Sequence, residues 1–238
     1  MILVTGGAGF IGSNLVASLG ERSRTPVCVC DILDSDKKER NLAKHSVAKI
    51  IPPSDLLNWL EGPGAATETI FHLGAISATT ERDPVALLDN NVAFSTALWR
   101  WCAAQDARLI YASSAATYGD GANGFDDDPD PRALAALEPL NGYGQSKQLF
   151  DIDVALMARM GYRPPQWAGL KFFNVYGPNE YHKAGQRSVA VQLFEQISAS
   201  GRAKLFRSHH VDYEDGGQLR DFIWVGDCVD VMLWLYDN

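Results

Sequence analysis

The chain has 238 residues, of which 46% are hydrophobic and 21% are charged. This balance is typical of a globular protein, and the length suffices for one large domain or a domain with a smaller lobe. The formal net charge of −8 argues against nucleic acid as a main partner, because nucleic acids favour a basic surface. An anionic small molecule is not excluded, since amides at a helix N-terminus bind phosphate even on an acidic protein.

The sequence also bears on location. It contains no apolar run as long as a transmembrane helix needs, so we expect no membrane association. The apolar residues 1–4 are far fewer than the core of a signal peptide requires. Cys28 and Cys30 alternate along an apolar stretch, which favours burial over a disulfide or a metal site. We therefore expect structural cysteines, no metal, a reducing compartment and a cytoplasmic location.

Apolar stretches alternate with helical patterns along the first 172 residues. Strands are predicted at 1–5, 26–30, 48–51, 69–73, 108–112 and 167–172. Helices are predicted at 10–19, 84–104 and 142–160. A loop with a short helix is predicted at 34–49, a loop at 120–139, and the start of a further strand and helix at 221–227. Continuous apolar strands between helices indicate parallel β-α units. We therefore expect an α/β protein with a doubly wound parallel sheet (Rossmann fold), in which ligands bind outside the carboxyl ends of the strands.

A glycine-rich turn lies between the first predicted strand and the first predicted helix. Gly6, Gly9 and Gly12 follow a Gly-x-x-Gly-x-x-Gly pattern, and Gly7 also allows Gly-x-Gly-x-x-Gly. Side chains there would keep a pyrophosphate from the amides of the helix N-terminus. Asp31, at the end of the second strand, has the position of a residue that accepts hydrogen bonds from an adenosine ribose. The pattern predicts a dinucleotide site.

The residues themselves leave the choice between NAD and NADP open. Asp31 favours the free 2′-hydroxyl of NAD. Lys37, Lys38 and Arg40 follow closely, and one of them could neutralise the 2′-phosphate of NADP. A solvated charged loop is the commoner role of such residues.

A second motif, Tyr143-x-x-x-Lys147, lies at the start of the predicted helix 142–160. Positions i and i+4 share a helix face, so we expect the Lys147 ammonium to lie beside the Tyr143 phenol and to lower its pKa. Such a phenol is a usable acid or base near neutral pH. The preceding strand runs into Ser113 and Ser114, whose hydroxyls can bind a reacting oxygen or merely cap backbone groups.

These motifs together resemble those of the extended short-chain dehydrogenases, and the resemblance spans the chain. It rests on the glycine pattern, the Tyr-x-x-x-Lys pair, Ser-Ser-Ala-Ala-Thr-Tyr-Gly at 113–119 and Phe-Asn-Val-Tyr-Gly-Pro at 173–178. More narrowly, the stretches at 72–81 and 174–183 are similar to those of the ADP-heptose 6-epimerases, with His182-Lys183 as the most discriminating element.

The narrower resemblance implies an isomerase of lipopolysaccharide core biosynthesis. Such an enzyme converts ADP-D-glycero-D-manno-heptose to the L-glycero epimer by transient oxidation at C6 and re-reduction with a tightly bound nicotinamide cofactor. Tyr143 and Lys183 would be acid–base groups on opposite sides of the sugar. Ser114 would bind the reacting oxygen, and Lys147 would hold the cofactor ribose and tune Tyr143.

The resemblance also implies which residues line the ligands. The implied cofactor-binding residues are Gly6, Gly9, Phe10, Ile11, Gly12, Asp31, Ile32, Lys38, Leu73, Gly74, Ala75, Ile76, Ser77, Asn90, Lys147 and Val175. The implied substrate-binding residues are Ser114, Asn174, Lys183, Ser188, Phe206 and Arg220. Arg220 would meet the diphosphate.

The sequence departs from the heptose enzymes at several points. Ile32 stands where they tend to have a polar residue, and 50–54 offers no basic partner for a 2′-phosphate. We nevertheless predict NADP, with NAD as the alternative. The segment 208–219 is longer than the family minimum, and for His209 and His210 an exposed loop is a better interpretation than a metal site.

We predict a dinucleotide-binding Rossmann domain at 1–172 and a partial substrate-binding lobe at 173–238, with one segment returning to the first domain. Related enzymes continue for several elements beyond the position of Asn238, so we expect a C-terminally truncated chain. The expected partners are an ADP-heptose small molecule and further copies of the chain in a homo-oligomer.

Three other functions stay open. A nucleotide-sugar 4-epimerase or reductase is one, and Lys183 argues against it. A 4,6-dehydratase would need an Asp-Glu pair where Ala115 and Ala116 stand. A non-catalytic cofactor-binding module is the third, although all the catalytic side chains are present.

Overall fold

The computed structural model describes residues 1–22, 25–43, 45–209 and 211–238. Its centre is a six-stranded sheet whose paired strands all run parallel, in the order β3-β2-β1-β4-β5-β6. The strands are β1 (Ile2–Thr5), β2 (Val27–Cys30), β3 (Lys49–Ile51), β4 (Thr69–His72), β5 (Arg108–Ser114) and β6 (Trp167–Phe172). The predicted doubly wound fold is confirmed, and every predicted strand is present within two residues of its bounds.

Helices cover both faces of this sheet. They are α1 (Phe10–Arg22), α2 (Asp36–Leu42), α3 (Pro53–Leu60), α4 (Pro84–Leu87), α5 (Phe94–Gln105), α6 (Pro131–Ala135), α7 (Gly142–Arg159), α8 (Val189–Ser200) and α9 (Val225–Asp237). Alternate residues of a strand point to opposite faces. Leu3 accordingly packs in a cluster with residues of α3, α5 and α7, whereas Ile2 and Val4 pack with α1 and α9.

The predicted helix 84–104 is interrupted by an unexpected turn. Residues Leu88–Ala93 form a π-helical turn between α4 and α5. Such turns insert an extra residue into a helix and often occur at functional sites. Here the turn carries Asn91, whose side chain is fully buried.

Three helices, α3, α6 and α8, lie where the sequence patterns predicted none. In α3, Pro53 occupies the first turn and Leu56, Trp59 and Leu60 are buried. In the predicted loop 120–139, Pro131–Ala135 forms the single turn α6, and the Asp130 carboxylate accepts a hydrogen bond from the Arg132 amide. Helices α3 and α6 are short, which is why periodicity did not reveal them.

The C-terminal part contributes a second, two-stranded parallel sheet of β7 (Asn174–Tyr176) and β8 (Phe222–Trp224). Helix α9 follows β8 directly, and its Val229, Met232 and Leu233 pack in the cluster that contains α1. One C-terminal segment thus lies against the large sheet. The domain boundary at residue 172 stays a prediction.

Two further observations concern the described residues. None of their helices has both the length and the apolar character that crossing a bilayer requires. The four cysteines are all buried and free.

Candidate active site

The glycine-rich turn joins β1 to α1 at the carboxyl edge of the sheet. Gly6 has a φ of +67°, in the left-handed region, and a Cβ there would lie 2.7 Å from the backbone nitrogen of Gly74. A Cβ on Gly12 would collide with the carbonyl oxygen of Gly6. Only glycine fits at these two positions, and the turn leaves the start of α1 open to a pyrophosphate. The turn therefore fits a dinucleotide cofactor.

Asp31 follows β2 and is tied to this turn. Its Oδ2 accepts a hydrogen bond from the Ala8 amide at 2.9 Å, and its Oδ1 accepts one from the Ile32 amide at 2.7 Å. The Lys38 ammonium lies 3.2 Å from the same Oδ1 and also donates to the Ile32 carbonyl at 3.0 Å. Three predicted cofactor residues, Asp31, Ile32 and Lys38, therefore lie together, and the Lys38 ammonium compensates the charge of the Asp31 carboxylate.

The predicted cofactor segment 73–77 follows β4 and is held by a residue that the sequence did not single out. Asn91 in the π-helical turn accepts a hydrogen bond from the Ile76 amide at 2.9 Å and donates to the Ile76 carbonyl at 3.0 Å. It also donates to the Ser146 hydroxyl on α7 at 2.9 Å. The predicted residue Asn90 donates to Asn91 Oδ1. Residue type alone does not distinguish two adjacent asparagines, and only the π-turn assigns Asn91 to the interior.

A buried histidine also lies behind this segment. Thr5 Oγ1 accepts a hydrogen bond from the Gly74 amide and lies 2.7 Å from His72 Nδ1. His72 Nε2 lies 2.8 Å from the Ser95 hydroxyl, which itself donates to the Asn91 carbonyl. Burial and the nearby Lys147 lower the pKa of His72 to about 3, so the ring is neutral. The bonds of the two hydroxyls assign the proton to Nε2.

Helix α7 carries the Tyr-x-x-x-Lys pair. Asn141 caps it by accepting a hydrogen bond from the Gly144 amide at 2.8 Å. The Tyr143 phenol forms a hydrogen bond with Ser114, the last residue of β5, so these two predicted catalytic side chains lie together. Ser114 also caps the following 3₁₀ turn, since its Oγ accepts a hydrogen bond from the Ala116 amide. The capping role considered for this hydroxyl is therefore present, and its role toward a reacting oxygen stays a prediction.

The expected effect of Lys147 on the Tyr143 phenol is wrong for this structure. Lys147 donates to the Ala112 carbonyl at 2.8 Å, and burial lowers its pKa to about 8. Burial raises the pKa of Tyr143 above its ordinary value of 10, whereas the hydrogen bond with Ser114 lowers it. The lysine is thus committed to the backbone and does not offset the desolvation of the phenol.

Lys183 lies in the 3₁₀ segment Tyr181–Gln186 and reaches the glycine turn. Its Nζ is 5.1 Å from the centre of the Phe10 ring, at the first residue of α1. Burial lowers the pKa of Lys183 below its ordinary value, and the Glu180 carboxylate opposes that shift. The alternative of a plain surface lysine is therefore not what the structure contains.

Several amides fasten the segment 178–181 over α1 and α2. Asn14 donates to the Pro178 carbonyl at 3.0 Å, and Asn179 donates to the Ser13 hydroxyl at 3.0 Å. Asn41, which is buried, donates to the carbonyl oxygens of Ala8 and Asn179. Bonds from two helices thus hold Pro178 and Asn179, a few residues before Lys183, against the glycine turn.

Glu180 is a second site residue that the sequence reasoning missed. Its carboxylate is 2% exposed and accepts hydrogen bonds from the Gly177 amide, the Ser188 amide and the Ser188 hydroxyl. The Ser188 hydroxyl in turn caps α8 at Val191. Nothing in the sequence predicts burial of a glutamate between Asn179 and Tyr181.

The remaining predicted substrate residues lie farther from the glycine turn and from Tyr143. Asn174 is exposed and donates to the Asp221 carbonyl at 3.1 Å. Phe206 is exposed, and Arg220 donates only to the carbonyl of its neighbour Leu219 among the described contacts. Val175 lies in β7 beside Ile223. The structure therefore does not bring Phe206 or Arg220 to the cleft.

The loop 208–219 contains no helix or strand in its described part, and His209 is exposed. His210 lies outside the described residues. Within the described ranges, no three His, Cys, Asp or Glu side chains lie close enough together to hold a metal ion.

Fold and site together define a Rossmann-type enzyme that binds a dinucleotide at the carboxyl edge of its sheet. The family model described as NAD dependent epimerase/dehydratase family matches residues 2–238. The chain therefore belongs to this family, whose cofactor is a nicotinamide dinucleotide. The predicted relationship to nucleotide-sugar epimerases is confirmed.

Named relatives are similar along the whole chain. The ADP-L-glycero-D-manno-heptose-6-epimerase of Nitratidesulfovibrio vulgaris is 47% identical over 240 residues, which cover 100% of this chain and 72% of that protein. The protein of the same name from Fusobacterium nucleatum is 45% identical, with 100% of this chain and 71% of that protein covered.

Solved structures are similar in fold. The Helicobacter pylori ADP-L-glycero-D-manno-heptose-6-epimerase has a TM-score of 0.79 and 28% identity, over 99% of this chain and 73% of that one. The Bacillus cereus UDP-glucuronic acid 4-epimerase, in complex with UDP-glucuronic acid and NAD, has a TM-score of 0.76 and 25% identity, over 100% of this chain and 73% of that one.

Proposed function

We propose that the chain inverts C6 of ADP-D-glycero-D-manno-heptose, using a nicotinamide cofactor that is regenerated in each turnover. The observation that carries the proposal is the position of Lys183, partly buried over Phe10, in addition to the Tyr143–Ser114 pair. Two acid–base groups from different parts of the chain are what an epimerase of this kind needs. The names of the relatives at 45–47% identity support this substrate.

The chemistry assigns one proton transfer to each group. In its phenolate form Tyr143 accepts the C6 hydroxyl proton while the C6–H bond breaks, and the oxygen stays bound to Ser114 as it becomes a ketone. A bound nicotinamide supplies the hydride acceptor and then the hydride donor. After the ketone has turned its other face to the cofactor, Lys183 donates a proton to the oxygen as the new C6–H bond forms. Lys147 holds the ribose throughout.

The test is incubation with ADP-D-glycero-D-manno-heptose and catalytic NADP, followed by separation of the C6 epimers. We expect the L-glycero epimer without net reduction of the cofactor. Tyr143→Phe should abolish detectable conversion, because a general acid–base contributes about 10²–10⁴-fold to the rate. The same variant should leave the affinity for the cofactor little changed. The matched control is Tyr162→Phe, since the Tyr162 hydroxyl donates to the carbonyl of Arg100 within α5.

Two results would contradict the proposal. Cofactor binding without conversion of the heptose would favour a non-catalytic cofactor-binding module. Conversion of a UDP-sugar at C4 instead would favour the alternative of another nucleotide-sugar epimerase, which the fold similarity to the UDP-glucuronic acid 4-epimerase makes the next substrate to try.

We further infer NADP as the cofactor, with NAD as the alternative. Lys38 lies 3.2 Å from the Asp31 carboxylate, so the charge that would repel a 2′-phosphate is compensated. Ile32, which is exposed beside them, offers no side-chain donor to the phosphate. Lys38→Met should weaken NADP binding and leave NAD binding little changed in a titration of each cofactor. An equal change in the affinities for NADP and NAD would mean that Lys38 does not discriminate between the two cofactors.

We infer self-association through the helical run of α4, the π-turn and α5 together with α7. A groove between them is lined by Leu88, Val92, Thr96 and Asp153. Leu156 lies on the same side of α7 and is exposed. Light scattering of Leu88→Glu should show a smaller species than the parent chain, whereas Val211→Glu, on an exposed loop, should not change the mass.

The cytoplasmic location stays a proposal that rests on the four free, buried cysteines. Nucleic acid is not proposed as a partner, since the net charge is −8.

A further inference from the structure

Three side chains of α7 form a row along one face. Tyr143, Lys147 and Asp151 are spaced four residues apart, and residues at i and i+4 are neighbours on a helix surface. The first forms a hydrogen bond with Ser114 and the second donates to the Ala112 carbonyl. The third, Asp151, belongs to no motif that the sequence analysis used, although it occupies the next position of the same row.

Asp151 connects α7 to the sheet. Its carboxylate is 5% exposed and accepts hydrogen bonds from the Tyr111 hydroxyl at 3.1 Å and the Ser113 hydroxyl at 2.6 Å, both on β5. The Lys171 ammonium on β6 lies 2.8 Å from its Oδ2 and also donates to the Thr117 hydroxyl at 2.8 Å. Strands β5 and β6 thus meet at one buried carboxylate, and Lys171 links it to Thr117 in the 3₁₀ turn after β5.

Stability alone does not explain this arrangement. A buried ion pair is often no more stabilising than apolar side chains of similar volume, because both charges lose their hydration. The pair of Asp151 and Lys171 lies one helical turn behind Lys147, between strands that end at the candidate active site. Its location points to a role in the site.

The charged groups around Lys147 define that role. Lys147 is 3% exposed, and burial lowers its pKa to about 8 while Asp151 raises it. His72, facing it from β4, is neutral, since its pKa is lowered to about 3. Tyr111 on β5 keeps its proton, because burial and Asp151 raise its pKa well above the ordinary value. Lys171 on β6 is a second cation and is paired with Asp151.

The Tyr143 phenol completes this set on α7 itself, and burial keeps it protonated at neutral pH. Asp151 is therefore the anionic group in the described surroundings of Lys147 that favours the protonated lysine. Without Asp151, no other charge named among the described neighbours would offset the lowering of the Lys147 pKa by burial.

We propose that Asp151 is a positioning residue of the candidate active site, which holds α7 against β5 and keeps Lys147 charged where the cofactor ribose would bind. The inference rests on the proposed function, because that function assigns Lys147 to the ribose. The Asp151 carboxylate thus determines both the position and the charge of the Lys147 side chain, although it makes no direct contact with it.

The test measures cofactor affinity against pH, so it needs no turnover of the sugar. Binding of NADPH is titrated by its fluorescence between pH 6 and pH 9.5 for the parent chain, Asp151→Asn and the control Asp230→Asn. Asp230 is exposed on α9, and the control makes the same chemical change there. We expect the parent affinity to fall as the pH rises through the pKa of Lys147. The fall in affinity should begin about one pH unit lower in Asp151→Asn, as loss of a neighbouring opposite charge requires, and should be unmoved in Asp230→Asn.

A second variant keeps the test decisive if Asp151→Asn fails to fold. Lys171→Met removes the competing cation and leaves the carboxylate, so the fall should move to higher pH. Lys147→Met should bind weakly with little dependence on pH. A parent curve that depends on pH but is unmoved by the folded variants would overturn the inference and leave the proposed function standing. A flat parent curve would overturn it together with the role assigned to Lys147, and conversion of the heptose would still be tested separately.

Discussion

The ammonium of Lys183 lies 5.1 Å from the centre of the Phe10 ring, so a side chain from the C-terminal part of the chain reaches the first residue of α1. A cation above an aromatic face is attracted to it, which helps to hold the lysine there. Burial lowers the pKa of Lys183 below its ordinary value. The lysine therefore releases a proton more readily than a surface lysine would, as an acid–base group must.

Replacing Lys183 by methionine should remove turnover and spare the cofactor. We expect conversion of the heptose to fall by about 10²-fold or more, the usual contribution of a general acid–base. Affinity for NADPH should change far less, since the glycine turn and Asp31 are intact. Both are measured on Lys183→Met and on Lys204→Met, which changes an exposed lysine beyond α8. Parallel losses of turnover and affinity in Lys183→Met would indicate structural damage, and unchanged turnover would remove Lys183 from the mechanism.

Glu180→Gln should disturb the segment that carries Lys183. The buried carboxylate accepts hydrogen bonds from Gly177 and from Ser188, and an amide NH₂ placed among those donors has nothing to donate to. We expect the free energy of unfolding to fall by about 1–3 kcal/mol, the cost of an unsatisfied buried group. Urea unfolding of Glu180→Gln and of Glu21→Gln, an exposed glutamate at the end of α1, provides the comparison.

A normal stability for Glu180→Gln, equal to that of Glu21→Gln, would mean that the segment rearranges around the amide at no cost. Turnover should fall with stability, because Lys183 loses the carboxylate that favours its protonated form.

The fold could largely be predicted from the sequence because buried parallel strands produce continuous apolar runs. Strand β1 shows why, since it is buried on both faces and its successive residues Ile2, Leu3 and Val4 are all apolar. Short helices escaped the same reasoning. In α3, eight residues with Trp59 and Leu60 on the buried side are too few for a periodic pattern to stand out.

The site was predictable only where a motif fixes residue spacing. Tyr143 and Lys147 are four apart on a helix, so their shared face follows from the sequence, but their pKa values do not. Those depend on contacts between elements that are distant in the chain, such as the Lys147–Ala112 bond. Asn91 and Glu180 were missed for the same reason, because their roles depend on a π-turn and on a buried loop.

Two glycines of α1 allow a controlled test of the dinucleotide turn. Gly12→Ala should abolish detectable cofactor binding and lower stability, because its Cβ would collide with the Gly6 carbonyl. Gly20→Ala is the matched control, since its Cβ would meet nothing within 4 Å. That control should raise the free energy of unfolding by about 0.5–1 kcal/mol, the usual gain of alanine over glycine inside a helix. Cofactor titration and thermal unfolding measure the two effects, and retained binding in Gly12→Ala would show that the turn does not hold the cofactor.

His72 should make the fold sensitive to acid. Burial lowers its pKa from 6.5 to about 3, so between these values the unfolded chain binds a proton that the folded chain does not. Its contribution to stability is complete above pH 6.5 and is lost as the pH falls towards 3, at about 1.4 kcal/mol per pH unit. Urea unfolding at several pH values should show a shallower slope for His72→Asn than for the parent chain, while His209→Asn, on an exposed loop, should keep the parent slope. Equal slopes in all three chains would mean that His72 gains a proton without unfolding, through a local opening of its bonds with Thr5 and Ser95.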